Sequence, residues 1–321
     1  MSASASPLQL QVARRELHTA QIVVLDLQSP DGAPLPAFEA GAHVDLHLAD
    51  GLVRQYSLCG DPADRSRYRL GVLLDPATRG GSQAVHEQLL PGATIGVGTP
   101  RNLFPLAGDA AHSVLVGGGI GVTPMIAMAH ALHAAGKSFE LHYCTRGPAQ
   151  TAFLEELRAA PFATQVRLYH DEAGSGARFD PASGIPAPAS RTHVYVCGPN
   201  GFMDWVIAGA TAAGHAPANV HREYFTVEVD TSGDAFEVEL AQSGRVLQIA
   251  EGQSIVAALQ AIGVKIQVSC EEGVCGTCLT NVIAGVPDHR DVFLTDAEKA
   301  DNDQMLLCCS RSCSPRLVLD L

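Results

Sequence analysis

Three cysteines fall within nine positions in SCEEGVCGTC, residues 269–278, and Cys308 follows thirty residues later in MLLCCSR. Thiolates are soft ligands. Four of them spaced Cys270-x4-Cys275-x2-Cys278…Cys308 match the plant-type run that holds a [2Fe–2S] cluster. Zinc sites usually pair one CxxC with a second CxxC or a histidine pair, and the single partner here fits that poorly. Gly273 and Gly276 suit a tight loop whose backbone N–H groups turn toward the sulfurs. Adjacent Cys309 is the alternative fourth ligand, and Cys313 is a spare thiol. The chain starts MSASASPLQLQVARREL, without the apolar run of a secretory leader, and no stretch approaches the ~18 apolar residues of a membrane helix. A cytoplasmic protein is expected. Nine cysteines in a reducing compartment point to metal or redox chemistry rather than to a disulfide framework.

Two further motifs suit anions. VLVGGGIGVTPM (114–125) follows a strand pattern and opens a helix pattern, so a pyrophosphate could lie at the helix N-terminus. Val122 replaces the third glycine of a strict G-x-G-x-x-G, and no acidic residue ends the next strand, so a plain strand–helix turn competes with that reading. CGP (197–199) makes a second bare turn on the same sheet edge. Earlier, TRGGSQAVHEQL (78–89) puts two glycines and a serine at a helix start, and RQYSLCG (54–60) supplies a cation, a flat ring and a hydroxyl.

These motifs need three kinds of scaffold. Residues 1–106 are strand-rich, with QIVVLDLQ, AHVDLHL and YRLGVLL and a single helix pattern, as in an antiparallel barrel. Residues 107–226 alternate strand and helix, the mark of a parallel α/β sheet. TAFLEELRAA is one of those helices, and GARFDPASGIPAPAS reads as a long loop. Residues 227–233 read as a linker. Residues 234–321 hold two strands around a Ser-Gly turn, a short helix opened by Ser254 and the cysteines, an α+β module.

The chain has 321 residues, 46% of them hydrophobic, so it can bury several cores, and its net charge of −13 argues against a nucleic-acid partner. Residues 1–226 carry net −4, whereas residues 227–321 carry 15 acidic and 6 basic side chains, net −9. The acidic tail is either a solvated surface or a docking face for a basic partner.

As a set, RQYSL, RGGS, PRNLFPL, GGGIGVTPM, CGP, HREYF and the cysteine run resemble the ferredoxin–NADP⁺ reductase-like flavoenzymes, specifically the phthalate dioxygenase reductase and vanillate O-demethylase reductase group. The resemblance spans essentially the whole chain. It implies a flavin barrel, a nicotinamide domain of α/β type and a β-grasp-like ferredoxin domain. It implies FMN contacts from Arg54, Tyr56, Ser57, Val72, Leu73, Gly80, Gly81, Ser82 and Phe225, with Tyr224 as the alternative ring. NAD contacts would come from Gly119, Gly121, Thr123, Pro124, Cys197, Gly198 and Pro199. Ser57, Cys197, Glu223 and Phe225 would surround the reacting rings. The group generally uses NADH, although Arg146 could meet a 2′-phosphate where Asp171 could instead bond a ribose. A flavin converts a two-electron hydride into the single electrons a cluster accepts. The expected function is therefore the reductase component of a two-component Rieske oxygenase, a monomer working with that terminal oxygenase. The alternatives are an FAD-dependent reductase of a diiron or other monooxygenase and a redox-sensing iron–sulfur flavoprotein.

Overall fold

The computed structural model describes residues 6–76, 80–172, 177–189 and 191–321, so Thr78 and Arg79 of the TRGGS run lie outside the described residues. The chain divides into two compact units, residues 1–223 and 224–321.

The first unit opens with strands β1 (Leu8–Leu17), β2 (Ile22–Gln28), β3 (Ala42–His47), β4 (Val53–Ser57) and β5 (Tyr68–Leu73), helix α1 (Gly81–Gln88), and strands β6 (Thr94–Val97) and β7 (Arg101–Asn102). The sheet order is β4-β3-β6-β1-β2-β5, with β7 on β3, and a Leu58–Leu70 bridge joins the two ends of that order. Alternation drives the closure. Leu10 and Val12 of β1 point inward while their neighbours face water; on β5, Leu70 and Val72 also point into the barrel core, but Arg69 and Gly71 between them are buried on the other face.

The same unit continues with β8 (His112–Gly118), α2 (Val122–Ala134), β9 (Ser138–Thr145), α3 (Leu154–Ala159), β10 (Val166–His170), α4 (Pro181–Gly184), β11 (Thr192–Cys197), α5 (Asn200–Ala212) and β12 (Val220–Glu223). Every pair in the order β10-β9-β8-β11-β12 is parallel. The central strands β8 and β11 are buried on both faces, as helices on both sides require. The order reverses between β8 and β11, which makes the crevice at their C-terminal ends the switch point where such sheets bind ligands.

Two local expectations change. The TAFLEELRAA helix starts only at Leu154, because Phe153 takes a left-handed conformation (φ 59°) that costs a non-glycine residue about 1–2 kcal/mol. The Phe153 N–H donates to His18 Nδ1 at 3.0 Å and its ring is 1% exposed, interactions that offset the strain. Within the expected loop of residues 176–190, Asp180 caps the helical turn α4 by accepting from the Ala182 N–H at 3.1 Å.

The second unit contains β13 (Phe236–Leu240), β14 (Arg245–Ile249), α6 (Ile255–Ala261), β15 (Leu279–Ala284), β16 (Pro287–Asp288), α7 (Asp296–Asp301), β17 (Gln304–Leu306), β18 (Arg311–Ser312) and β19 (Arg316–Leu319). Its main sheet runs β14-β13-β19-β15-β17. Helix α6, capped by Ser254, packs Ile255 and Leu259 into the core beneath it. The stretch read as a linker is fastened to this unit. Arg290 Nη1 donates to the carbonyls of Asp230 (2.6 Å) and Ser232 (2.7 Å), and Arg311 Nη2 donates to that of Asp234 (2.9 Å).

Candidate active site and cluster loop

In the first unit, α1 starts at Gly81, with Gly80 in a left-handed conformation as its cap. A side chain at Gly81 would lie 2.5 Å from Arg54 Cγ and 2.8 Å from Nε, so the Arg54 stem crosses the helix N-terminus where only glycine leaves room. A fixed cation and a helix N-terminus together form a cradle that fits the phosphate end of a flavin. Ser82, half-buried in the first turn, accepts from the Asp75 N–H at 3.2 Å. Tyr56 is half-buried on β4, and burial raises its phenol well above the usual range. Val72 and Leu73 end the β5 edge. The Val72 carbonyl already meets His86 Nε2 of α1 at 3.0 Å, a contact no motif signalled.

Ser57, at the end of β4, is buried beside the Glu223 carboxyl. Glu223 and Cys197 are register partners at the C-terminal ends of β12 and β11. The Glu223 residue is half-buried, but its carboxyl turns inward, and Oε2 is sealed from solvent without a hydrogen-bond partner among the described residues. Burial pushes this carboxyl up to about 8, against a smaller opposite pull from the Ser57 hydroxyl. Burial likewise raises the Cys197 thiol, with Glu223 adding to the shift. The structure thus brings Ser57, Cys197 and Glu223 together across the seam between barrel and parallel sheet. Phe225 and Tyr224 belong to the second unit, where both are half-buried in an irregular segment.

The glycine-rich turn divides its labour. Gly119 (φ 55°) faces open space, whereas Gly121 is pressed onto the Cys197 carbonyl and locks the two turns together. Thr123 is buried at the start of α2, its hydroxyl donating to the Ile120 carbonyl at 2.9 Å, and Pro124 is buried beside it. Gly198 (φ 155°) and Gly118 are not bare to the crevice. A Cβ at either would lie within 3.0 Å of Phe202 Cδ1 on α5, so that ring fills the space the sequence left open, while Pro199 is exposed. Arg146 is exposed after β9, and the Glu172 carboxylate covers neighbouring Gly147.

In the second unit, Cys275, Cys278 and Cys308 are buried and Cys270 is half-buried. The thiols neighbour one another in two sets, Cys270 with Cys275, and Cys278 with Cys308, which also has Cys309 beside it. Cys270 lowers the pKa of Cys275, and Cys308 lowers that of Cys278. Among the described residues no three of these sulfurs lie within 4.8 Å of one another. Four thiolates on one zinc would be about 3.8 Å apart, given Zn–S bonds of ~2.3 Å. Two separated pairs fit a two-iron cluster better. The Glu272 N–H reaches Cys270 Sγ at 3.3 Å and the Thr277 N–H reaches Cys275 Sγ at 3.4 Å, as expected for donors to a sulfur-ligated cluster. Gly273 (φ 72°) lies where a Cβ would be 2.6 Å from Cys309 Sγ, which puts that thiol in the core under the loop.

Among the described residues, one other group has metal-like spacing. Glu16, His18 and Glu156 offer ligand atoms within 4.8 Å of one another. His18 Nδ1 accepts from the Phe153 N–H, so a neutral ring carries its proton on Nε2, the nitrogen facing both carboxylates. That tautomer makes the group an ion-pair node rather than a metal site.

Residues 238–313 match the family model for a 2Fe-2S iron-sulfur cluster binding domain. The chain is 48% identical over 312 residues to the vanillate O-demethylase oxidoreductase of Pseudomonas sp. (strain HR199 / DSM 7063), covering 97% of this chain and 98% of that one. A solved phthalate dioxygenase reductase, described as a modular structure for electron transfer from pyridine nucleotides to [2Fe–2S], superposes with a TM-score of 0.76 at 39% identity, covering 98% of both chains. An intact type IV self-sufficient cytochrome P450 monooxygenase gives a TM-score of 0.85 at 38% identity over 98% of this chain, which spans 41% of that longer protein.

Proposed function

Since the chain belongs to the family of vanillate O-demethylase and phthalate dioxygenase reductases, we propose that it is the cytoplasmic, monomeric reductase component of a two-component Rieske non-haem iron oxygenase, carrying electrons from NADH through FMN and a [2Fe–2S] cluster to that oxygenase. Bound flavin and cluster would supply the conversion of a hydride into single electrons. The chain's own work is placement. Arg54, Gly80, Gly81 and Ser82 would hold the flavin phosphate. Tyr56, Val72, Leu73 and Phe225 would line its ring and chain. Gly119, Gly121, Thr123, Pro124, Gly198 and Pro199 would seat the pyridine nucleotide, and Cys270, Cys275, Cys278 and Cys308 would ligate the irons. Ser57, protonated Glu223 and Cys197 would close the ring pocket with neutral polar groups. The observation that carries this reading is the meeting of Ser57, Glu223 and Cys197 where the barrel abuts the switch-point crevice.

Cofactor extraction tests it. FMN together with iron and acid-labile sulfide is expected, and FAD would point to the reductase of a diiron monooxygenase. The likeness to the P450 fusion makes a haem monooxygenase the second reading for the acceptor. Pairing the purified protein with a Rieske oxygenase and with a cytochrome P450 separates the two by which one turns over.

A further inference from the structure

Gly71 lies on β5 two residues before Leu73, and the two share the strand face opposite the barrel core. A Cβ at Gly71 would lie 2.7 Å from Phe153 Cζ and 3.0 Å from Thr123 Cγ2. The ring tip of Phe153 and the methyl of Thr123 therefore rest directly on the backbone of the strand that leads to the proposed flavin contacts. Thr123 belongs to the first turn of α2, directly after the Gly119–Gly121 turn. Phe153 is held from three sides: its left-handed backbone, its N–H on His18 just after β1, and its ring packed edge-on with the centroids 5.1 Å apart against the His18 ring. One helical turn on, Glu156 takes Arg69 of β5, which is itself paired with Asp26 at 2.7 Å.

We propose that Phe153 is a positioning residue for hydride transfer: wedged between Gly71 and Thr123, its ring sets the spacing between the flavin strand and the nicotinamide turn. Glu156 is partly exposed and its ion pair can adjust, whereas a rigid ring against bare backbone cannot. The proposal rests on the reading of this crevice as the meeting point of flavin and NADH. Hydride transfer is steeply sensitive to sub-ångström spacing, so the wedge acts on the transfer step more than on binding.

The test uses FMN- and cluster-loaded holoenzyme. Gly71→Ala should slow NADH-driven flavin reduction in stopped flow by tenfold or more. It should also weaken the long-wavelength charge-transfer absorbance of the nicotinamide–flavin complex, with the dissociation constant for NADH and the FMN content within twofold of wild type. Phe153→Leu, which removes the ring tip, should restore both signals to within threefold when combined with Gly71→Ala. By itself Phe153→Leu should weaken the absorbance band with FMN content unchanged, and this variant decides the matter if Gly71→Ala does not yield holoenzyme. A fully loaded Gly71→Ala enzyme with wild-type rate and band, or a loss that Phe153→Leu leaves in place, overturns the proposal. Failure of the underlying reading looks different, since wild-type protein would then lack FMN, or its FMN would stay oxidised after NADH is added.

Discussion

Glu223 is a carboxyl in the wrong solvent. Burial holds its proton up to about 8, compared with 4.5 for the free group. Its contribution to stability is complete below about 4.5 and is lost as pH rises through about 8, because the folded state must then ionise a desolvated group. Glu223→Gln should therefore melt higher than wild type above pH ~8 and converge with it below pH ~5. Circular-dichroism melts across that range check the sign, and a wild-type melting temperature that rises toward pH ~8 relative to the variant would contradict it. Cys275 tests the other site. Cys275→Ser should remove the cluster's iron and visible absorbance yet leave NADH-driven flavin reduction intact, because the groups proposed for flavin and nicotinamide are in residues 1–223 apart from Phe225. Wild-type cytochrome c reduction by that variant would sink the proposed electron path.

Elements turn single residues into sites. Helix α1 is eight residues long, and the Arg54 stem lies across its first residue, where the proposed flavin phosphate would sit. A charge-assisted hydrogen bond of about 1.5–3 kcal/mol corresponds to roughly tenfold or more in affinity. Arg54→Ala should accordingly raise the FMN dissociation constant by about tenfold or more, with iron content unchanged. Equilibrium titration of the deflavinated variant with FMN measures it, and unaltered affinity would remove Arg54 from the cradle. In the cluster loop, Gly273→Ala places a methyl against Cys309 Sγ and 3.0 Å from Asp291 Cα at a backbone angle disfavoured for alanine. Iron per chain should fall by half or more with FMN loading unchanged.

Across the whole molecule, charge is concentrated in the second unit. Of its 6 basic side chains, Arg316 is paired with Glu237 and Glu239, Arg290 with Asp288, and Lys299 and Arg311 are spent on backbone carbonyls. The 15 carboxylates therefore dominate its field. Reduction of cytochrome c, a basic acceptor, should slow severalfold as salt rises from about 0.01 to 0.3 M, because the Debye length shrinks from ~30 Å to well under 10 Å. A flat response would assign the acidity to solvation alone.

Much of the architecture was legible in the amino-acid sequence. Period-two alternation, buried β-branched runs and cysteine spacing are local signals, and they pointed to a barrel, a parallel α/β sheet and a [2Fe–2S] loop, whereas the proposed flavin and nicotinamide contacts came from the resemblance to a family. Even the α4 turn left a partial trace, in the Asp-Pro pair at 180–181. Only the tertiary structure decided which groups meet. That Glu223 buries its acid beside Ser57, that Phe202 fills the space over Gly118 and Gly198, that His86 reaches Val72 and that Phe153 wedges against Gly71 all depend on contacts between residues distant in the chain. Such contacts have no period or spacing to betray them, because close packing fixes them only after every element has found its place.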